Sequence, residues 1–241
     1  RQGERTYYVY DSEGQRVRKV TELGSGKIKD ERIYLGGFEI YKRHGAHPLV
    51  RETLHVMDDQ QRVALVETRT QGTEPGVPAV LIRYQSGNHL GSATLELDDK
   101  ALIVSYEEYT PFGSSSYQAV RSQTETPKRY RYTGKERDEE SGLYYHGARY
   151  HAPWLGRWTS ADPLLQGDFV EQELDYDPYA YAGNNPVILV DPDGHLAFLA
   201  VAIIAAGAFL YASITAPGVA NAPTSATDPT YPGPSSGEVL N

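Results

Sequence analysis

Short runs of alternating apolar and polar residues, each bounded by turn formers, fill the first 113 positions of the chain. Thr6-Tyr7-Tyr8-Val9-Tyr10 leads into Asp11-Ser12-Glu13-Gly14, and Arg16-Val17-Arg18-Lys19-Val20 leads out. β-formers on both sides of an Asp/Gly turn predict a hairpin. The pattern returns with Gly24-Ser25-Gly26 before Arg32-Ile33-Tyr34-Leu35, and with Gly36-Gly37 before Phe38-Glu39-Ile40-Tyr41. Asp58-Asp59-Gln60-Gln61 divides residues 49–57 from 62–70, while 86–91 and 98–100 divide 80–84, 93–97 and 102–109. Turns spaced by ~10–12 residues, or about twice that, predict successive antiparallel strands. No helical period competes. Residues 114–127 are polar and predict a loop. From 128 to 194 the alternation gives way to dense aromatic, Gly and Pro residues. Residues 196–213 then run without a charge and predict an apolar helix, and 216–241, with five prolines, read as a flexible or extended tail. The chain therefore divides into 1–127, 128–194, 195–215 and 216–241.

Composition sharpens this picture. There are 19 Tyr against 5 Phe and 2 Trp, so nearly all aromatic surface ends in a hydroxyl. Tyr suits a pleated, half-buried surface where the ring packs and the hydroxyl finds a partner. The 32 acidic and 23 basic side chains give a formal charge of −9, which argues against a nucleic-acid partner. The absence of cysteine excludes a disulfide scaffold, a thiolate zinc site and a cysteine nucleophile. The chain opens at Arg1 inside a strand-like run, with neither Met nor signal peptide, and so reads as a piece of something longer.

Few clusters suggest metal or cofactor chemistry, and no cofactor is expected. His44 and His47 sit beside Gly45 and Pro48 in a loop without a third ligand. His146 and His151 fall among Tyr144, Tyr145, Arg149 and Tyr150, a setting for packing in a polar aromatic cluster. Lys128-Arg129-Tyr130-Arg131-Tyr132 precedes an acidic stretch at 136–140 and reads as an outward strand face. The glycines at 134 and 142 lack the Gly-Lys-Ser/Thr ending of a phosphate loop.

Three motif groups carry a family resemblance. Tyr8-Val9-Tyr10-Asp11-Ser12-Glu13-Gly14-Gln15-Arg16-Val17 is similar to the YD repeat. Asn88-His89-Leu90-Gly91-Ser92, followed by Tyr106-Glu107-Glu108-Tyr109-Thr110-Pro111-Phe112-Gly113, resembles a paired motif of Rhs proteins, with Asn88 and Thr110 standing where that family has Asp. The third group runs from 130 to 194. It includes Tyr132-Thr133-Gly134-Lys135, Gly142-Leu143-Tyr144-Tyr145, Ala148-Arg149-Tyr150, Leu155-Gly156-Arg157-Trp158-Thr159-Ser160-Ala161-Asp162-Pro163, Asn184-Asn185-Pro186 and Asp191-Pro192-Asp193-Gly194. This series closely resembles the Rhs repeat-associated core, which also occurs in the C subunits of insecticidal toxin complexes.

The resemblance implies a mainly β fold, with antiparallel YD hairpins (1–127) forming part of a spiralling β-shell and the core (128–194) plugging one end. It also implies an aspartic autoprotease that releases the segment after an Asp-Pro-x-Gly-Leu motif. Two close carboxyls cannot both ionise, so one holds a proton while the other activates water. Asp162 stands where the family's catalytic Asp falls. Asp138 is the candidate partner, Asp191 the alternative partner, and Arg157 the candidate orienting cation. Gly194, His195 and Leu196 mark the cleavage region. The sequence departs from the pattern in three ways. Leu165 occupies the glycine position after Asp162-Pro163, an acidic insertion follows, and His195 stands where the family has Leu. The same Asp-Pro pairs also serve as plain turns, with Asp bonding to following N–H groups and Pro fixing φ.

These readings converge on a fragment of an Rhs-family polymorphic toxin, secreted or at the cell surface, that encapsulates and delivers a C-terminal effector. Its expected partners are that effector as cargo and upstream Rhs repeats or a B-type shell subunit. A membrane is a further candidate partner, through 196–213, which reads as a spanning segment or as a helix sequestered in the shell. Two alternatives stand beside it. One is a surface or wall-associated YD-repeat protein that binds carbohydrate on its tyrosine face; the other is a catalytically inert remnant.

Overall fold

The computed structural model describes residues 3–58, 61–121, 127–163 and 177–195. Ten strands form one antiparallel sheet in chain order: β1 (Arg5–Tyr10), β2 (Arg16–Glu22), β3 (Ile28–Leu35), β4 (Phe38–Arg43), β5 (Leu49–Asp58), β6 (Gln61–Gln71), β7 (Val80–Gly87), β8 (Ala93–Leu97), β9 (Ile103–Tyr109) and β10 (Ser115–Val120). Turn chemistry sets the register. Asp11 Oδ1 accepts the N–H groups of Glu13 (2.9 Å) and Gln15 (2.8 Å), and this closes β1 onto β2 with Tyr8 opposite Lys19. Asn88 Oδ1 does the same for Leu90 and Ser92, both at 3.0 Å, and Thr110 Oγ1 accepts the Ser114 N–H at 3.1 Å. The residues that replace Asp at 88 and 110 thus keep its capping role.

Two expectations change. Part of the polar stretch expected as a loop is β10, which pairs with β9 and places Tyr117 opposite Glu108. All six of its residues are exposed. An edge strand bare on both faces has no reason to alternate, so its pattern carries no strand signal. The basic stretch expected to face outward is turned inward, with Lys128, Tyr130, Arg131 and Tyr132 buried. Its cations meet carboxylates of the sheet: Arg129 pairs with Glu39 at 2.8 Å, Lys128 with Glu107 at 3.4 Å and Arg131 with Glu107 at 2.9 Å. A charge goes inside where an opposite charge awaits it.

Beyond this stretch a second, four-stranded antiparallel sheet forms from β11 (Glu136–Arg137), β12 (Tyr144–Tyr145), β13 (Tyr150–Ala152) and β14 (Arg157–Trp158). Its apolar centre is Tyr132, Tyr144, Trp158, Tyr181 and Ala182, with Tyr109 at the end of β9, Leu90 and Phe112 of the first sheet's turns, and Leu189 packed against them. Among the described residues no helix is long and apolar enough to cross a membrane. The apolar stretch 196–213, the helix expected there and the tail lie outside the described residues.

Candidate active site

The β12–β13 connection, residues 146–149, is closed by the His146 N–H on the Arg149 carbonyl at 3.1 Å. This turn sends the Arg149 side chain into the interior, where it is 1% exposed. Each of its three nitrogens reaches a group of the core. Nη1 lies 3.2 Å from Asp162 Oδ2, Nη2 lies 3.1 Å from Asp191 Oδ2, and Nε donates to the Gly194 carbonyl at 2.6 Å. The guanidinium also lies 4.3 Å from the centre of the Trp158 ring. Asp162 follows β14, its N–H bonded to the Pro178 carbonyl at 3.1 Å. Asp191 opens a turn in which its Oδ1 accepts the N–H groups of Asp193 (3.3 Å) and Gly194 (2.8 Å). One planar cation thus joins two carboxyls from separate parts of the core to the backbone at 194.

Burial governs the electrostatics. Asp191 is fully buried, and loss of solvent pushes its carboxyl up to about 6, against the pull of the Gly194 N–H and the Arg149 cation. A carboxyl poised there holds or gives a proton near neutral pH. Behind it, burial holds the His146 imidazole far below its usual range, with Lys135 and His151 acting in the same direction. Neutral His146 donates from Nδ1 to the Asp191 carbonyl at 2.9 Å. His151 is likewise pushed down to about 3 by burial, and its ring stacks on Tyr181 at 4.2 Å. Both histidines therefore sit in the aromatic cluster expected for them.

The remaining candidates lie apart from this group. Asp138 is fully buried between Arg16 (3.0 and 2.8 Å to its two oxygens) and Lys19 (2.9 Å), at the seam with β2. Burial raises its carboxyl despite these two cations. Arg157 is half exposed and pairs with Asp177 at 2.8 Å. Of Asp138 and Asp191, the one that shares a cation with Asp162 is Asp191, and that cation is Arg149. The His195 N–H bonds Asp193 Oδ1 at 2.9 Å, and Leu196 lies outside the described residues. The motifs of the sequence do not single out Arg149, although its setting carries a signal. An arginine among Tyr144, Tyr145, Tyr150 and Trp158 is costly to bury without carboxylates, and the Asp-Pro pairs at 162 and 191 are among those that follow it. Among the described residues, no three His, Asp or Glu side chains converge to hold a metal.

No protein-family model matches the chain. The toxin subunit YenC1 of Yersinia entomophaga is 38% identical to it over 194 residues, which cover 78% of this chain and 19% of the relative. The tRNA3(Ser)-specific nuclease WapA of Bacillus spizizenii is 39% identical over 194 residues, covering 80% of this chain and 8% of the relative. The crystal structure of TcdB2-TccC3 superposes with a TM-score of 0.69 at 34% identity, over 78% of this chain and 9% of that one. The chain spans a fifth or less of each of these proteins.

Proposed function

Because the chain belongs to the Rhs/YD-repeat proteins, we propose that residues 128–194 are their repeat-associated core and that the chain is part of a secreted or surface-borne toxin whose core cuts its own chain within 194–196. The ten-stranded sheet is then a stretch of a β-shell, and the polypeptide after the cut is its cargo. The observation that carries this reading is the convergence of Asp162, Asp191 and the Gly194 carbonyl on Arg149. The similarity to the toxin subunit YenC1 supports the toxin context. A partly open hollow of about 1720 Å³ lies beside β1–β5, where charged side chains such as Lys19, Arg32 and Arg51 alternate with Tyr8, Tyr41 and Leu49, and it fits the concave face of a shell. Among the described residues β1 and β10 are the outer strands of the sheet, and strands of further repeats or of a shell subunit would pair with their outward N–H and C=O groups.

The chemistry is peptide hydrolysis with water as co-reactant. Asp162, held against the Arg149 guanidinium, takes a proton from water as the water oxygen adds to the carbonyl carbon. Arg149 steadies the negative charge that develops. Asp191, protonated, gives its proton to the departing nitrogen as the C–N bond breaks, leaving a carboxyl and an amine. Asp162 then holds the water's proton and Asp191 is ionised, and one proton transfer between them restores the starting state.

The intact mass of the purified chain at neutral pH, beside an Asp162→Asn variant, tests the reading. Loss of the residues after the cut in the native chain alone supports self-cleavage. Native and variant chains that both stay whole reject it and leave the Asp-Pro pairs as turns.

A further inference from the structure

The backbone of residues 191–194 is held carbonyl by carbonyl from outside the segment. His146 Nδ1 donates to the Asp191 carbonyl at 2.9 Å, the Ala148 N–H to the Asp193 carbonyl at 3.0 Å, and Arg149 Nε to the Gly194 carbonyl at 2.6 Å. Lys135 Nζ takes the Pro192 carbonyl between them. Three of the four donors come from the single turn 146–149. The fit is close enough that both strands of the contact require glycine. A Cβ on Gly147 would lie 3.0 Å from the Asp193 carbonyl oxygen, and one on Gly194 would lie 2.9 Å from the Arg149 nitrogen. Their φ values, +105° and +79°, independently disfavour a side chain.

The ring that makes the first of these bonds has no freedom to leave. His146 packs edge-on against Trp158 at 5.0 Å and Tyr181 at 5.7 Å, and its Nε2 is buried without a hydrogen-bond partner. An imidazole held this way is neutral, with its proton on the Nδ1 that faces the carbonyl.

We infer that the turn 146–149, with His146 as a positioning residue and Gly147 as its close-contact point, is the subsite that grips the chain on the N-terminal side of the cut and so determines where the chain is cut. The inference rests on the self-cleavage reading. It adds that the site recognises its substrate through main-chain carbonyls at 191–194, so the grip depends on backbone shape and on glycine at 194.

The test combines two measurements on the full chain. The first is the rate and position of the cut by intact mass; the second is amide hydrogen exchange over 191–195. His146→Leu removes the donor, His146→Asn returns an N–H at the place of Nδ1, and Gly147→Ala places a methyl against the Asp193 carbonyl. Removing one such bond is expected to slow the cut about tenfold or shift its position. Exchange at Asp193 and Gly194 should rise in His146→Leu and Gly147→Ala, while His146→Asn should restore both rate and protection. A merely space-filling His146 would not distinguish Asn from Leu in that order. Thermal unfolding of each variant identifies any that fails to fold, and Lys135→Met then removes a donor from the rim of the core as a further probe. Cutting at the native bond and rate in His146→Leu overturns the inference, as does Asn behaving like Leu. If the native chain is never cut, the self-cleavage reading fails by itself. Protection at 191–195 that follows the order native, Asn, Leu then still supports the cradle, and its absence from the native chain overturns it.

Discussion

Asp191→Asn should make the protein more stable at neutral pH relative to its stability in acid, while abolishing the cut. The native carboxyl binds its proton more tightly when folded than when unfolded, since burial pushes it up to about 6. Its stabilising effect is therefore complete below the unfolded value near 4 and is lost as pH rises through the folded value. The displacement from 3.8 to about 6, at roughly 1.4 kcal/mol per pH unit, amounts to about 3 kcal/mol of stability lost between pH 4 and pH 7. Asparagine keeps an oxygen for the Gly194 N–H but has no proton to lose, so this loss disappears. Denaturant unfolding of both proteins across pH 4–7.5, with intact mass checked at each point, measures the difference. The native protein should fall by about 3 kcal/mol more than the variant over that range. Parallel pH curves would refute the argument, because they would mean that Asp191 is no more protonated in the folded state than in the unfolded one.

Other substitutions separate the site from its surroundings. Arg149→Met leaves two buried carboxyls without their shared cation and should cost about 3–5 kcal/mol at pH 7, less in acid where Asp191 holds its proton; unfolding at pH 7 and pH 4.5 gives the comparison. Asp138→Asn should cost about 1–3 kcal/mol, because Arg16 and Lys19 keep Glu136 and Glu140 as partners, yet leave the cut unchanged by intact mass. Arg157→Ala breaks an exposed pair with Asp177, and should alter stability by no more than about 0.5 kcal/mol and leave cleavage intact.

The strands were legible because their signals are local. Asp11, Asn88 and Thr110 cap turns within five residues of themselves, and the alternation between turns needs no distant partner to be read. β10 was hidden because exposure on both faces removes the alternation. The inward turn of residues 128–132 was hidden for a different reason: Glu39 and Glu107, which receive these cations, lie on strands far away in the chain. The site divides along the same line. Asp162 and Asp191 announce themselves through the Asp-Pro motif, but the choice of cation depends on the β12–β13 turn. Arg157 is nearer to Asp162 in sequence, and only the hairpin reveals that Arg149 points inward while Arg157 faces solvent. The choice of carboxyl partner depends on the fold in the same way, since Asp138 is committed to β2 through Arg16 and Lys19.

The tyrosine excess finds its physical reason at the seam between sheet and core. Tyr132 donates to the Pro111 carbonyl at 2.8 Å and Tyr144 to the Gly113 carbonyl at 3.0 Å, while Tyr130 donates to Glu39. Tyr8 reaches Glu140 at 2.6 Å, and Tyr145 accepts the Arg16 N–H at 2.9 Å. Phenylalanine would pack equally well at these places but would let the two surfaces slide, since apolar contact has no direction. A hydroxyl fixed on a carbonyl or carboxylate adds direction, and each such bond contributes about 0.5–1.5 kcal/mol net. The buried pairs of Arg16 with Glu136 (2.5 Å) and of Arg129 with Glu39 (2.8 Å) act in the same sense, for breaking one partner strands the other in low dielectric. The core is therefore keyed to the sheet by directional bonds at many points. That suits a site whose carboxyls come from separate segments, because Arg149 can hold Asp162, Asp191 and the Gly194 carbonyl together only while the segments carrying them stay in fixed register.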